Sequence, residues 1–204
     1  MESTAYEFDN IARNIFYPIY PVITEQILEC VTVNTAGHCL DVGCGPGYLG
    51  LEIAKKTDMT LCCYDKDPEA LAIAEQNIKE GYLHKQVYTR LGNAEAIPYP
   101  EESFDLVVSR GSLFFWENKV KAINEIYRVL KPGGWAYLGG GFGNAKLKQQ
   151  IDKKMLKLDE QWLIKAAERK SSSENYENLM LKTQVVSYKI LEGEAGLWIV
   201  FEKQ

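Results

Sequence analysis

Three glycines in five residues, Gly43, Gly45 and Gly47, follow the short apolar run Cys39–Val42. Glycine gives up more conformational freedom on folding than any other residue, so a cluster of it costs order unless the backbone needs it. Here the cluster separates a strand-like run from the helix-like stretch Gly47–Lys56. The backbone must therefore turn sharply and admit something close to it; the bland alternative is a tight turn that binds nothing. A strand entering a glycine loop and then a helix belongs to an open α/β sheet, where ligands sit beyond the carboxyl ends of the strands.

The chain around the loop agrees with that class. Met59–Tyr64, Gln86–Leu91, Phe104–Ser109 and Trp135–Leu138 read as strands. The continuous apolar run Leu106-Val107-Val108 suits a strand buried on both faces of a parallel sheet. Asp67 as a cap and Pro68 at the first helical position predict a helix with Leu71, Ala74 and Ile78 on its buried face, ending at Gly81. Val120, Ile123, Tyr127 and Leu130 predict another, stopped by Pro132-Gly133-Gly134. Strands alternating with helices make a doubly wound α/β sheet. Before it, Tyr6–Phe16 reads as a helix. Pro18 and Pro21 interrupt, with Tyr17 and Tyr20 between the pieces, and Pro21 opens a second helix whose face carries Ile23, Ile27, Cys30 and Val31. After it, Ala145–Lys170 reads as helical with a break at Asp159, and Ser171-x-x-Glu174 as a capping box. Gln184–Leu191 and Leu197–Lys203 predict a terminal hairpin around Gly193 and Gly196.

Composition narrows the function. At 204 residues and a formal net charge of -5, the chain is sized for one soluble domain and lacks a fold-wide basic surface for nucleic acid. The five cysteines, at 30, 39, 44, 62 and 63, form no CxxC pair, so no metal site is expected. They read mostly as buried hydrophobes in a reducing compartment. Met1–Asn10 is acidic and lacks a signal-peptide core, and no run approaches about 18 apolar residues. A cytoplasmic protein without a membrane span is expected. His38 and His84 are expected in solvent.

Two frames fit the loop. Gly45-x-Gly47-x-x-Gly50 matches the dinucleotide fingerprint, and Asp65, about 20 residues on, can accept hydrogen bonds from both ribose hydroxyls. Pro46, however, removes a backbone N–H that a pyrophosphate would use. The other frame is Asp41-Val42-Gly43-Cys44-Gly45-Pro46-Gly47. It resembles motif I of class I S-adenosylmethionine-dependent methyltransferases.

The resemblance continues in order through Tyr64–Leu71, Gly92–Pro98, Ser103–Arg110 and Glu125–Gly134, covering residues 38–140. It is nearest to small, methyltransferase type 11-like prokaryotic members. It implies a Rossmann-like, doubly wound, seven-stranded sheet with its last strand antiparallel, under an N-terminal helical cover. Residues 1–36 would form the cover, 37–140 the cofactor-binding core, and 141–204 the C-terminal helices and hairpin of one domain. It also implies S-adenosyl-L-methionine as cofactor. The residues then expected to bind it are Asp41, Gly43, Cys44, Gly45, Gly47, Asp65, Lys66, Asn93, Ala94, Ser109 and Arg110. Asn93 stands where the family often has Asp, which leaves the adenine amino contact without charge assistance.

The acceptor side is less defined. Ser109–Glu117 is aromatic where relatives carry histidines near positions 114 and 115. Phe115 or Trp116 is expected to line the acceptor pocket while Phe114 packs inward; core packing of the whole segment is the alternative. Arg110 suits an anionic acceptor, or cofactor or structural duty. Tyr17 and Tyr20 are candidate lid contacts, and Gly139–Asn144, including Phe142, reads as a substrate-side loop. The lysines at 146, 148, 153, 154 and 157 read as a solvated helical face. No catalytic residue is assigned, because an aligned nucleophile near an activated methyl needs no general base in many acceptor classes.

The reading is methyl transfer to a small molecule by direct displacement at the sulfonium methyl. A second subunit, as a homodimer, would be one way to complete the pocket. The alternatives are an NAD(P)-dependent oxidoreductase and a non-catalytic S-adenosylmethionine-binding sensor.

Overall fold

The computed structural model describes residues 4–165 and 175–204. Among them the strands are β1 (His38–Val42), β2 (Thr60–Asp65), β3 (Val87–Leu91), β4 (Phe104–Arg110), β5 (Leu130–Gly141), β6 (Tyr188–Gly193) and β7 (Gly196–Glu202). They form one seven-stranded sheet in the order β3-β2-β1-β4-β5-β7-β6. The first five strands pair in parallel, and β7 runs antiparallel between β5 and β6. The chain winds outward from β1 to β3, then returns to lay β4 on the other side of β1. The carboxyl ends of β1 and β4 therefore flank the switch point where such sheets bind ligands.

The period-two alternation of the strands supplies two cores. One face carries Cys39, Leu61, Cys63, Leu106, Val108, Tyr137 and Trp198. It is covered by α1 (Ala5–Ile11), a π-helical turn (Ala12–Phe16), α2 (Ile19–Cys30), α3 (Tyr48–Lys56) and α6 (Ala145–Met155). The other face carries Leu40, Cys62, Tyr64, Val107, Leu138 and Phe201 under α5 (Lys119–Val129) and α7 (Tyr176–Met180). α4 (Pro68–Glu80) lies beside β2 and β3. Leu106, Val107 and Val108 are fully buried, as the unbroken apolar run predicts. Asp67 caps α4 through the Glu69 N–H, with Pro68 first in the helix. No helix among the described residues is long and apolar enough to cross a membrane.

The structure departs from the sequence reading in several places. Pro18, not Pro21, opens α2; Pro21 sits in its first turn, where a missing N–H has no helical partner to lose. Tyr20 is consequently helical rather than part of a linker. Cys30, at the end of α2, is exposed while Ile23, Ile27 and Val31 are buried. β5 starts at Leu130 and runs through Pro132-Gly133-Gly134, because the Gly133 N–H donates to Lys203 O and the Lys203 N–H to Gly134 O. Gly139–Gly141 is strand rather than loop, paired with Trp198, Leu197 and Gly196. A Cβ on Gly139 would lie 2.1 Å from Leu197 O, so the glycines serve close strand approach. α6 ends at Met155, before the expected break at Asp159. The end of that predicted helix and the Ser171–Glu174 capping box fall outside the described residues. The hairpin is present, closed at the Gly193–Gly196 pair, although β6 begins only at Tyr188.

Candidate cofactor and acceptor cleft

The loop after β1 is a left-handed glycine cradle, with φ of 68° at Gly43, 53° at Gly45 and 84° at Gly47. Its own N–H groups are already used. Gly43 and Cys44 donate to Tyr64 O, Gly45 donates to Asp65 Oδ2 at 2.8 Å, and Gly47 donates to Cys44 O. Pro46 has none to give. A pyrophosphate needs several convergent free donors, and this loop does not offer them. What it offers is a bare carbon surface at Gly45, where an added Cβ would meet only Phe8, 3.5 Å away. The surface is flanked by two carboxylates.

Those carboxylates do different work. Asp41 is 1% exposed, and its Oδ2 accepts the Gly50 N–H at 3.0 Å. Burial raises its carboxyl to about 7, against the Gly50 hydrogen bond, and the Asp65 charge pushes the same way as burial. Asp65 is half-buried at the end of β2, accepting from Gly45 and from the Asp67 N–H at 3.0 Å. Each of its oxygens accepts one of these bonds and retains a further lone pair. Lys66 beside it is exposed.

The loop after β3 is fastened from below. The Tyr64 hydroxyl, at the end of a fully buried side chain, donates to Asn93 O at 3.0 Å and stands 3.4 Å from Ala96 O. A Cβ on Gly92 would lie 2.1 Å from that hydroxyl, so only glycine fits there. Glu125 accepts the Ile97 N–H, and Arg128 donates to Ile97 O and Tyr99 O. The Asn93 side chain accepts the Glu95 N–H, leaving its amide N–H₂ exposed, and Ala94 is buried.

The N-terminal helices lie over the cradle. Arg13 donates to Asn77 Oδ1 at 2.7 Å, and Asn77 Nδ2 donates to Pro46 O at 2.9 Å. Tyr48, first in α3, donates to Asp9 Oδ1 at 2.8 Å. Tyr20 stacks on Tyr48 with centroids 5.4 Å apart. Tyr17 packs edge-on against Tyr48 at 6.0 Å, its hydroxyl donating to Glu52.

Across the switch point stands Arg110, half-buried at the end of β4. Its Nε and Nη2 donate to Gly141 O at 3.3 and 3.2 Å. The rings of Phe16, Tyr20 and Phe142 surround the guanidinium at 5.4, 5.5 and 5.8 Å. Ser109, fully buried, shares a 2.6 Å hydrogen bond with Ser112, and the Ser112 hydroxyl lies 2.9 Å from Val42 O. That relay ties the end of β4 to the start of the glycine loop. Leu113 takes the inward position instead of Phe114, because the short 3₁₀ turn Leu113–Phe115 rotates Phe114 and Phe115 outward. They are 42% and 70% exposed, and Trp116 packs against the α5 core.

With that geometry in place, comparison with known proteins decides the family. A Methyltransferase domain model matches residues 40–138. A solved Methanococcus maripaludis protein, described as a candidate S-adenosyl-L-methionine-dependent methyltransferase, is 35% identical. It aligns over 98% of this chain and 92% of its own, with a TM-score of 0.92. The chain belongs to the S-adenosylmethionine-dependent methyltransferases. Methyltransferase GfsG of Streptomyces halstedii is 31% identical over 55% of this chain and 40% of its own length. The UbiE ubiquinone/menaquinone biosynthesis C-methyltransferase of Hydrogenovibrio crunogenus is 32% identical over 65% of this chain and 53% of its own. The chain spans less than half the length of the first curated relatives it matches.

In this methyltransferase the residues named from sequence fall into two groups. Asp41, Gly43, Cys44, Gly45, Gly47, Asp65, Asn93 and Ala94 gather at the ends of β1, β2 and β3. Arg110, Tyr20 and Phe142 gather at the ends of β4 and β5, while Tyr17 and Trp116 join neither group. Cys44 donates its thiol to Gly45 O at 3.3 Å within the loop itself. The sequence alone gives Phe8, Phe16, Ser112 and Tyr64 no site role. Phe16 lies four residues before Tyr20, a helical spacing that is the one signal able to pair them. A lone serine or tyrosine gives none.

Proposed function

We propose that this methyltransferase binds S-adenosylmethionine across the ends of β1, β2 and β3 and methylates a small-molecule acceptor presented at β4 and β5. The observation that carries the reading is the glycine cradle, whose own donors are spent internally and whose flanks are carboxylates. Such a site suits a ligand with a cationic end and a ribose, and suits a pyrophosphate poorly. The residues present fit that cofactor. Asp65 would accept the ribose hydroxyls, and Asp41, buried beneath the loop on the Gly50 N–H, would supply negative potential toward the ammonium group. Asn93 and the Ala94 backbone would meet the adenine edge, and Gly45 would leave room under the nucleoside. When bound, the cofactor supplies an activated methyl group on a sulfonium. The chain's task is to orient the acceptor and exclude water, which Phe8, Tyr20 and the helical cover serve.

Incubation with methyl-labelled S-adenosylmethionine and a small-metabolite extract tests this. The expected result is a labelled small molecule formed together with S-adenosylhomocysteine. A protein that binds the cofactor yet labels nothing across fractionated metabolites would contradict the catalytic reading.

A further inference from the structure

Arg110 is a cation enclosed without an anion. It is half-buried, and among the described residues no carboxylate pairs with it, whereas Arg13 and Arg128 each have acidic partners. Two acids that share the surroundings of Tyr20 with Arg110 are engaged elsewhere. Asp41, on the same sheet face of the adjacent strand, is turned into the first turn of α3. Asp9 is held by Tyr48 and Arg13. A partly desolvated charge is costly unless something pairs with it, so a guanidinium placed this way suits an anionic ligand.

The guanidinium is also fixed in place. Gly141 O takes two of its N–H groups, and Phe16, Tyr20 and Phe142 hold its plane. A planar fork already ordered loses little entropy when it meets a planar carboxylate. Three rings around a cation form the kind of enclosure that takes an ammonium ligand. Here the chain's own arginine fills it, and its permanent charge repels any amine brought alongside. The neighbouring wall is apolar, with Phe114 against Gly140 and Phe115 open at the rim.

We propose that the acceptor is a small carboxylate with an apolar body, held through its carboxylate by Arg110, and that amine acceptors are refused. The inference rests on the methyl-transfer reading and names the substrate class at that site. Arg110 acts in it as a handle that sets specificity.

The test is calorimetric titration of the protein, saturated with S-adenosylhomocysteine, with two matched pairs: benzoate against benzylamine, and hexanoate against hexylamine. Wild type is expected to bind the acids and not the amines. Arg110→Gln is expected to weaken the acids by about tenfold or more while holding S-adenosylhomocysteine within about threefold. Arg110→Lys, which keeps the charge without the fork, should retain the preference for acids at lower affinity. Amines binding as well as acids would overturn the inference. So would acids that fail to bind at millimolar concentration, or acids indifferent to Arg110→Gln. Loss of S-adenosylhomocysteine from a folded Arg110→Gln would overturn it too, by giving the guanidinium to the cofactor. Failure of S-adenosylhomocysteine to bind wild type would instead break the methyl-transfer reading and this inference with it.

Discussion

The two halves of the cleft are built from different materials. At β1, β2 and β3 the proposed cofactor surface is mostly backbone, held by side chains that reach it from behind: Tyr64, Ser112, Asn77 and Glu125. At β4 and β5 the surface is side chain: Arg110, Phe16, Tyr20, Phe142 and Phe114. A backbone surface fixes one ligand shape and leaves few ways to vary it. A side-chain surface can be rewritten residue by residue without disturbing the sheet.

Breaking the backbone half should cost most. Gly43→Ala places a Cβ 2.2 Å from Ser112 Cβ at a φ of 68°. It is expected to destabilise the fold by about 2–4 kcal/mol and to abolish cofactor binding, read by thermal unfolding and calorimetry. Asp65→Ala comes next. It should weaken S-adenosylhomocysteine by about 1–3 kcal/mol, the scale of a lost charged hydrogen bond, in a chain that still folds. An unchanged affinity would remove Asp65 as the ribose ligand.

Asp41 sharpens the comparison through pH. Its carboxyl is raised to about 7, chiefly by burial, so the folded chain keeps a proton that the unfolded chain releases. Stability from this group therefore falls as pH rises from about 4 to about 7. Affinity for an ammonium-bearing ligand moves the other way, rising through pH 7 as the carboxylate charges. Asp41→Asn can still accept the Gly50 N–H, and it should flatten both profiles. Unfolding and S-adenosylhomocysteine titrations across that range check the pair. The smallest effect is expected in the other half. Phe115→Ala should leave S-adenosylhomocysteine affinity within about twofold, since its ring is solvent-facing at the rim.

The same division decided what could be read from the sequence. Backbone requirements leave glycines at fixed spacing, so the cradle, the β2 acid and the alternation of strands and helices were legible from Asp41–Gly47, Asp65 and the apolar runs. Side-chain supports leave no such mark. Ser112 and Tyr64 act across 70 and 29 residues of sequence. The glycine run at 139–141 reads as a substrate-side loop because its real cause, the close passage of β7, lies about 55 residues further on. Phe114 faces outward where inward packing is expected for a related reason, since a single 3₁₀ turn after β4 sets which side chain faces inward.

The central claim is that the cradle, with its donors spent and its flanks acidic, takes S-adenosylmethionine and not a dinucleotide. Calorimetric titration of the intact chain with S-adenosylhomocysteine and, separately, with NAD tests it most directly. The account predicts a saturable one-to-one heat with S-adenosylhomocysteine and none with NAD. Tight NAD binding with no S-adenosylhomocysteine heat would contradict it.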